Sequence, residues 1–132
     1  MLRPADTALL VAARNNLTKV LGAALAEGAN PNAAGGDGYP ALHLASWFGC
    51  LENVRSLCEG GADVNLRIET ERDNGATPLL LASQRGFRDV VEYLLSHQAD
   101  PFAEDKDGDT PFSAAEKMGQ TEICALLKEY RK

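Results

Sequence analysis

Two histidines (His43, His97) and three cysteines (Cys50, Cys58, Cys124) are the side chains of this 132-residue chain through which nucleophilic or metal chemistry would have to run. No GxSxG or HExxH sequence surrounds them, so neither an activated hydroxyl nor a zinc-bound water is indicated. Cys50 and Cys58 lie eight residues apart with helix-forming residues between them. That spacing suits a core better than a zinc knuckle, whose cysteines stand about two to four apart. An odd cysteine count without a CxxC pair argues against a disulfide framework and for a reducing compartment, cytoplasmic or nuclear.

Two further stretches imitate ligand sites. Asp105, Asp107, Asp109 and Glu116 reproduce positions 1, 3, 5 and 12 of an EF-hand calcium loop. The sharp turn of that loop needs Gly at position 6, whereas Thr110 stands there and is followed by Pro111, a pair that starts a helix. Residues 33–38, AAGGDG, look like a phosphate cradle, but no Lys-Ser or Lys-Thr follows and Asp37 would repel phosphate. Both stretches read as surface turns. The expectation is a chain that is not an enzyme and that holds no catalytic residue, cofactor or metal.

The bulk numbers point the same way. The net charge of −6 disfavours a surface that condenses onto nucleic acid or anionic lipid, so neither is an expected partner. No apolar run approaches the roughly 18 residues of a membrane span. The stretch Ala8–Ala13 is six long, too short for the apolar region of a secretory leader. Apolar residues make up 45% of the chain, and 20 Ala and 18 Leu far outnumber 6 Val and 2 Ile. This balance favours helix over sheet.

The same pattern occurs four times, beginning at Thr7, Pro40, Thr77 and Thr110, and equivalent positions Leu9, Leu42, Leu79 and Phe112 are separated by 33, 37 and 33 residues. Thr7, Thr77 and Thr110 are placed to cap a helix, with Pro78 and Pro111 at its first position. Gly49, Gly86 and Gly119 follow about nine residues on and can end that helix in a left-handed conformation, with Asn16 substituting in the first copy. A second helix comes next, its apolar stripe formed by Val90, Val91, Leu94 and Leu95, or by Val54, Leu57 and Cys58 one copy earlier. Gly28 and Gly61 end these second helices. Segments 33–38, 66–75 and 103–109 have the composition of turns between copies.

Thr77, Pro78, Leu79, Ala82, Gly86, Val90, Val91, Leu94 and Leu95 stand in register with T-P-L-H-x-A-A-x-x-G followed by V-V-x-x-L-L, and this pattern resembles the ankyrin repeat over residues 5–131. The resemblance implies an all-α solenoid, a single domain over 1–132 of helix-turn-helix pairs joined by β-hairpin-like fingers. Its repeats run approximately over 5–35, 36–68, 73–105 and 106–132, with a four-residue insertion within 66–75. The end repeats are irregular, as expected where one side has no neighbour, and the polar tail Lys128–Lys132 reads as a C-terminus. His43 occupies the H of T-P-L-H, which implies a hydrogen bond to backbone between repeats. His97 falls at a variable, exposed site.

The resemblance also implies that the chain binds protein partners, of unknown identity, on the concave surface of finger tips and first helices. Mapped onto this sequence, that surface includes Arg14, Trp47, Phe48, Gln84 and Arg85. Trp47, Phe48 and Tyr39 concentrate aromatic side chains in the second repeat, where a buried ring would anchor a partner. Of the two adjacent rings, Phe48 is the better candidate for tucking under the next finger as core. Arg67 and Arg72 on the lengthened finger and Asp107 on the acidic one could reach a partner's rim. The expected role is that of a non-enzymatic adaptor or inhibitor, monomeric alone. The alternative is a structural or assembly subunit of a larger complex.

Overall fold

A computed structural model describes residues 2–72 and 74–130. Among these residues the helices are α1 (Pro4–Arg14), α2 (Thr18–Ala26), α3 (Ala41–Phe48), α4 (Leu51–Glu59), α5 (Pro78–Arg85), α6 (Arg88–Ser96), α7 (Pro111–Lys117) and α8 (Thr121–Lys128). Consecutive helices pair, the first helices α1, α3, α5 and α7 pack side by side in one row, and α2, α4, α6 and α8 form a second. The result is the expected all-α solenoid. Between pairs the chain makes narrow fingers, one closed by an antiparallel bridge between Ala34 and Pro40.

The helix starts follow the threonines at two of three sites. Thr77 Oγ1 accepts the Leu80 N–H at 3.2 Å, and Thr110 Oγ1 accepts the Ser113 N–H at 3.1 Å while Ser113 Oγ accepts the Thr110 N–H in return. Thr7 does not cap. Helix α1 begins at Pro4, three residues earlier, because that proline fits the first helical position and Asp6 accepts the Arg3 N–H at 3.2 Å. The left-handed exits stand where expected, at Asn16 (φ +57°), Gly49 (φ +72°), Gly86 (φ +83°) and Gly119 (φ +71°). A Cβ at Gly49 would lie 2.6 Å from the Phe87 ring, so this glycine also permits the next repeat to approach. In the third repeat Gln98 (φ +72°) takes the role of Gly28 and Gly61 despite its side chain.

The repeats are tied by side-chain amides as well as by apolar contact. Asn32 Oδ1 accepts the Asp63 N–H and Asn65 Oδ1 accepts the Asp100 N–H, each at 2.7 Å and each across one repeat. The first repeat has no preceding asparagine, and there Asp6 Oδ1 accepts the Asn30 N–H at 2.7 Å. That bond, together with those to Arg3, holds the Asp6 carboxyl below its ordinary value against the opposing effect of burial. The lengthened finger is anchored too: the Ile68 N–H donates to the Ala76 carbonyl (3.0 Å), the Gly75 N–H donates to the Ile68 carbonyl (2.7 Å), and Ile68 is 2% exposed. Of the insertion, Asp73 lies outside the described residues, as do Arg131 and Lys132 of the tail.

The apolar stripe of the third repeat, Val90, Val91, Leu94 and Leu95, is buried throughout, and in the second repeat one polar residue interrupts it. Asn53 stands on α4 where Val90 and Ile123 stand on α6 and α8, is fully buried, and has neither amide atom hydrogen-bonded within the described residues. A buried amide without partners costs about 1–3 kcal/mol. Asn53→Val should therefore raise the stability to urea unfolding by about 1–2 kcal/mol, and a lower midpoint at unchanged slope would contradict this packing.

Candidate functional site

Where the fingers meet the first helices, a pocket of about 190 Å³ opens between repeats. Its floor is α3, through Leu44, Trp47 and Phe48. Asp37 and Tyr39 of the first finger, Arg14 at the end of α1, and Arg72 of the lengthened finger complete it. The Trp47 side chain is half-buried and packs on a small core of Ile68, Ala76, Leu80, Leu81 and Ala114 beneath the lengthened finger. Arg85 covers it from the next repeat: its guanidinium carbon lies 4.6 Å from the Trp47 ring centroid and its Nε–H donates to the Trp47 carbonyl at 3.3 Å. These contacts fix the indole with one edge toward the pocket.

Phe48 behaves otherwise than its sequence position suggests. It is 40% exposed, and it is Trp47 that the finger covers. The insertion explains the exchange. Ile68 is drawn in beside Leu80 and Leu81, and the ring that reaches this cluster from α3 is Trp47, leaving Phe48 one residue further round the helix in the pocket.

The charges around the pocket are unequal. Arg14 and Asp37 form an ion pair across its side, and Asp37 Oδ1 also accepts the Tyr39 N–H at 3.1 Å. Burial pushes the Asp37 carboxyl up, but the Arg14 guanidinium and the Tyr39 N–H outweigh it and hold the group below its ordinary value. Arg72 is exposed and makes no ion pair with any described carboxylate. Five of the nine residues singled out in the sequence thus line one pocket: Arg14, Tyr39, Trp47, Phe48 and Arg72. Arg85 joins them through Trp47.

The other three lie elsewhere. The half-buried Gln84 gives its carbonyl to the Gln120 side-chain amide at 3.1 Å. Arg67 faces a separate, wider groove beside Leu66 and Ile68. Asp107 is exposed at the tip of the acidic finger, where Asp105 Oδ1 accepts the N–H groups of both Asp107 and Asp109 at 3.0 and 2.9 Å. Asp109 pairs with Lys117 Nζ at 2.7 Å. These carboxylates therefore shape the turn and cap of α7. Sequence reading missed Leu44 and Asp37 as pocket residues, though the D-x-Y order around Gly38 is that of a side chain closing its own turn.

The groups that could have done chemistry are placed structurally. His43 is fully buried, with Nε2–H donating to the Ala76 carbonyl at 3.0 Å across one repeat. His97 is exposed and stacks on Tyr93. Burial pushes the Cys58 thiol up to about 11, which keeps it protonated and a poor metal ligand or nucleophile. Among the described residues no three His, Cys, Asp or Glu side chains converge as a metal site requires, and no helix is long and apolar enough to cross a membrane.

A family model of ankyrin repeats (3 copies) matches residues 3–68 and again residues 66–132. The chain belongs to the ankyrin-repeat family. Mouse protein phosphatase 1 regulatory subunit 27 is 45% identical over 74 residues, 56% of this chain and 46% of that protein. Human 2-5A-dependent ribonuclease is 44% identical over 73 residues, 55% of this chain and 9% of its own length. The Drosophila tyrosine-protein kinase Shark is 30% identical over 126 residues, 96% of this chain and 13% of its own length. The chain thus spans less than half the length of each of these relatives.

In this ankyrin-repeat chain His43 also sets a pH dependence. Burial lowers its folded value to about 4, against the pull of the Ala76 carbonyl. The unfolded imidazole protonates near pH 6.5, so the unfolded state takes up its proton first as pH falls. The stabilisation is complete above about pH 6.5 and is lost between there and about pH 4, some 3 kcal/mol in all. Leu10 and Leu80 fill the equivalent positions, so His43→Leu is the reference. From pH 7 to pH 4 the native chain should lose about 3 kcal/mol more than this variant, and parallel losses in urea titrations would refute the assignment.

Proposed function

We propose that this chain holds a partner protein at the pocket between its first fingers and α3, and acts by occupying or bridging that partner as an inhibitor or adaptor, without chemistry of its own. Ankyrin repeats in general mediate protein–protein interaction and are not catalytic. The observation that carries the assignment of the surface is the exposed Phe48 beside a Trp47 held by Arg85 and the Ile68 hairpin. Rigid aromatic side chains bury much area at small entropic cost and dominate binding hot spots. At about 190 Å³ the pocket lies below the 300–1,000 Å³ range typical of small-molecule sites, and it suits one side chain of a protein better.

The matching regions make up small shares of the ribonuclease and the kinase, so their catalytic names do not pass to this chain. The regulatory role in the phosphatase relative's name agrees with a module that acts by binding. Three free cysteines fit work in a reducing compartment, the cytoplasm or nucleus. A second reading, assembly within a larger complex, draws on Phe102 and Met118, 52% and 58% exposed near the last repeat.

Phe48→Asp tests the surface. Because Phe48 is exposed, the variant should keep its melting temperature. It should weaken binding of the partner captured by the native chain by about 2 kcal/mol or more. Arg55→Glu, on the outer row of helices, should leave that affinity within about twofold. Equal affinities of Phe48→Asp and native chain in calorimetry would remove the pocket from the interface.

A further inference from the structure

The charge around the pocket runs against that of the chain. The molecule carries a net charge of −6, yet Arg14 and Arg72 line this pocket, Arg85 stands beside it on Trp47, and Asp37 is the one carboxylate among the described residues that line it. Asp37 is already answered by Arg14. That leaves a surplus of two guanidinium groups, Arg72 on the finger side and Arg85 on the α5 side of the exposed aromatic edge. Arg72 has no ion-pair partner among the described residues, and Arg85, exposed, lies over the Trp47 and Phe87 rings, gives its Nε–H to the Trp47 carbonyl, and forms no ion pair with a described carboxylate. Both residues are exposed, and guanidinium forks bind carboxylates more strongly than neutral acceptors.

We infer that the pocket recognises an acidic segment of the partner protein, one apolar side chain entering between Trp47, Phe48 and Tyr39 while carboxylates on either side pair with Arg72 and Arg85. This inference rests on the reading of the pocket as the binding surface, and it adds what that surface selects. An acidic partner would otherwise be repelled by an acidic chain, so the local surplus decides both recognition and the direction of approach. A basic segment would meet the same two guanidinium groups and be repelled by both.

Trp47 is the only tryptophan, so its fluorescence reports on this site alone. The full chain is titrated with three blocked nine-residue peptides, each with a central Leu flanked on either side by two Asp or Glu, two Ser, or two Lys. The acidic peptide should shift Trp47 emission saturably, bind about tenfold tighter than the Ser peptide, and weaken as salt rises from about 0.1 to 1 M. The Lys peptide should leave the emission unchanged. Arg72→Glu, on an exposed finger, should cost the acidic peptide about tenfold, and Arg72→Gln should fall between. Circular dichroism confirms that both variants are folded. Equal responses to the three peptides, no response to any, or indifference to Arg72→Glu would overturn the inference. If a partner still depends on Phe48 in those cases, the binding surface stands and only its acidic preference falls.

Discussion

A helix pair of this size cannot bury its own apolar stripe. Leu9, Leu42 and Leu79 on the first helices and Leu21, Leu57 and Leu94 on the second are shielded because each pair lies against a neighbour. The junction between repeats is therefore the unit of stability, and the pocket is built across two of them, α1 against α3 and α3 against the lengthened finger. The hydrogen bond from His43 to Ala76 fixes α3 to the strand-like end of the lengthened finger. The same finger sends Ile68 inward beneath Trp47. Remove that junction and Trp47 loses the cluster it packs on and Arg85 the fixed ring it covers.

The ladder of side-chain amides shows how the stack is begun. Asn32 and Asn65 each reach the finger of the following repeat, and Asp6 makes the same bond to Asn30 from within α1. The early start of α1 at Pro4 has a purpose in this light, since it brings Asp6 to a place that an asparagine of a previous repeat would fill. At the other end Phe102 stands where the next asparagine of the series would be, 52% exposed.

Local chemistry was legible in the sequence and long-range chemistry was not. The caps at Thr77 and Thr110 and the left-handed exits follow from rules that act over a few residues, the period shows when the sequence is set against itself, and the buried His43 is what the resemblance to the ankyrin motif implies. Thr7 misled because an equally good start, Pro4 with Asp6, stood one turn upstream and also served a residue in another loop. Trp47 and Phe48 could not be ordered because the hairpin that covers one of them is made by residues 68–76 and closes across repeats. Asn53 shows the limit from the other side: its apolar neighbours in the pattern predict a valine, and burial places it among them all the same. The pocket was half visible, as aromatic side chains at variable positions, but Asp37 and Leu44 enter it only through the curve of the stack.

Hydrogen–deuterium exchange of the full chain, with and without its captured partner, tests the central claim most directly. Gly36 and Asp37 in one of the fingers that wall the pocket, and Glu71 and Arg72 in the other, are exposed, and their amides should exchange fast in the free chain. The account predicts that the partner slows exchange in both fingers and leaves the second row of helices, α2, α4, α6 and α8, unchanged. Protection confined to that second row, with both fingers still exchanging at the free rate, would contradict it.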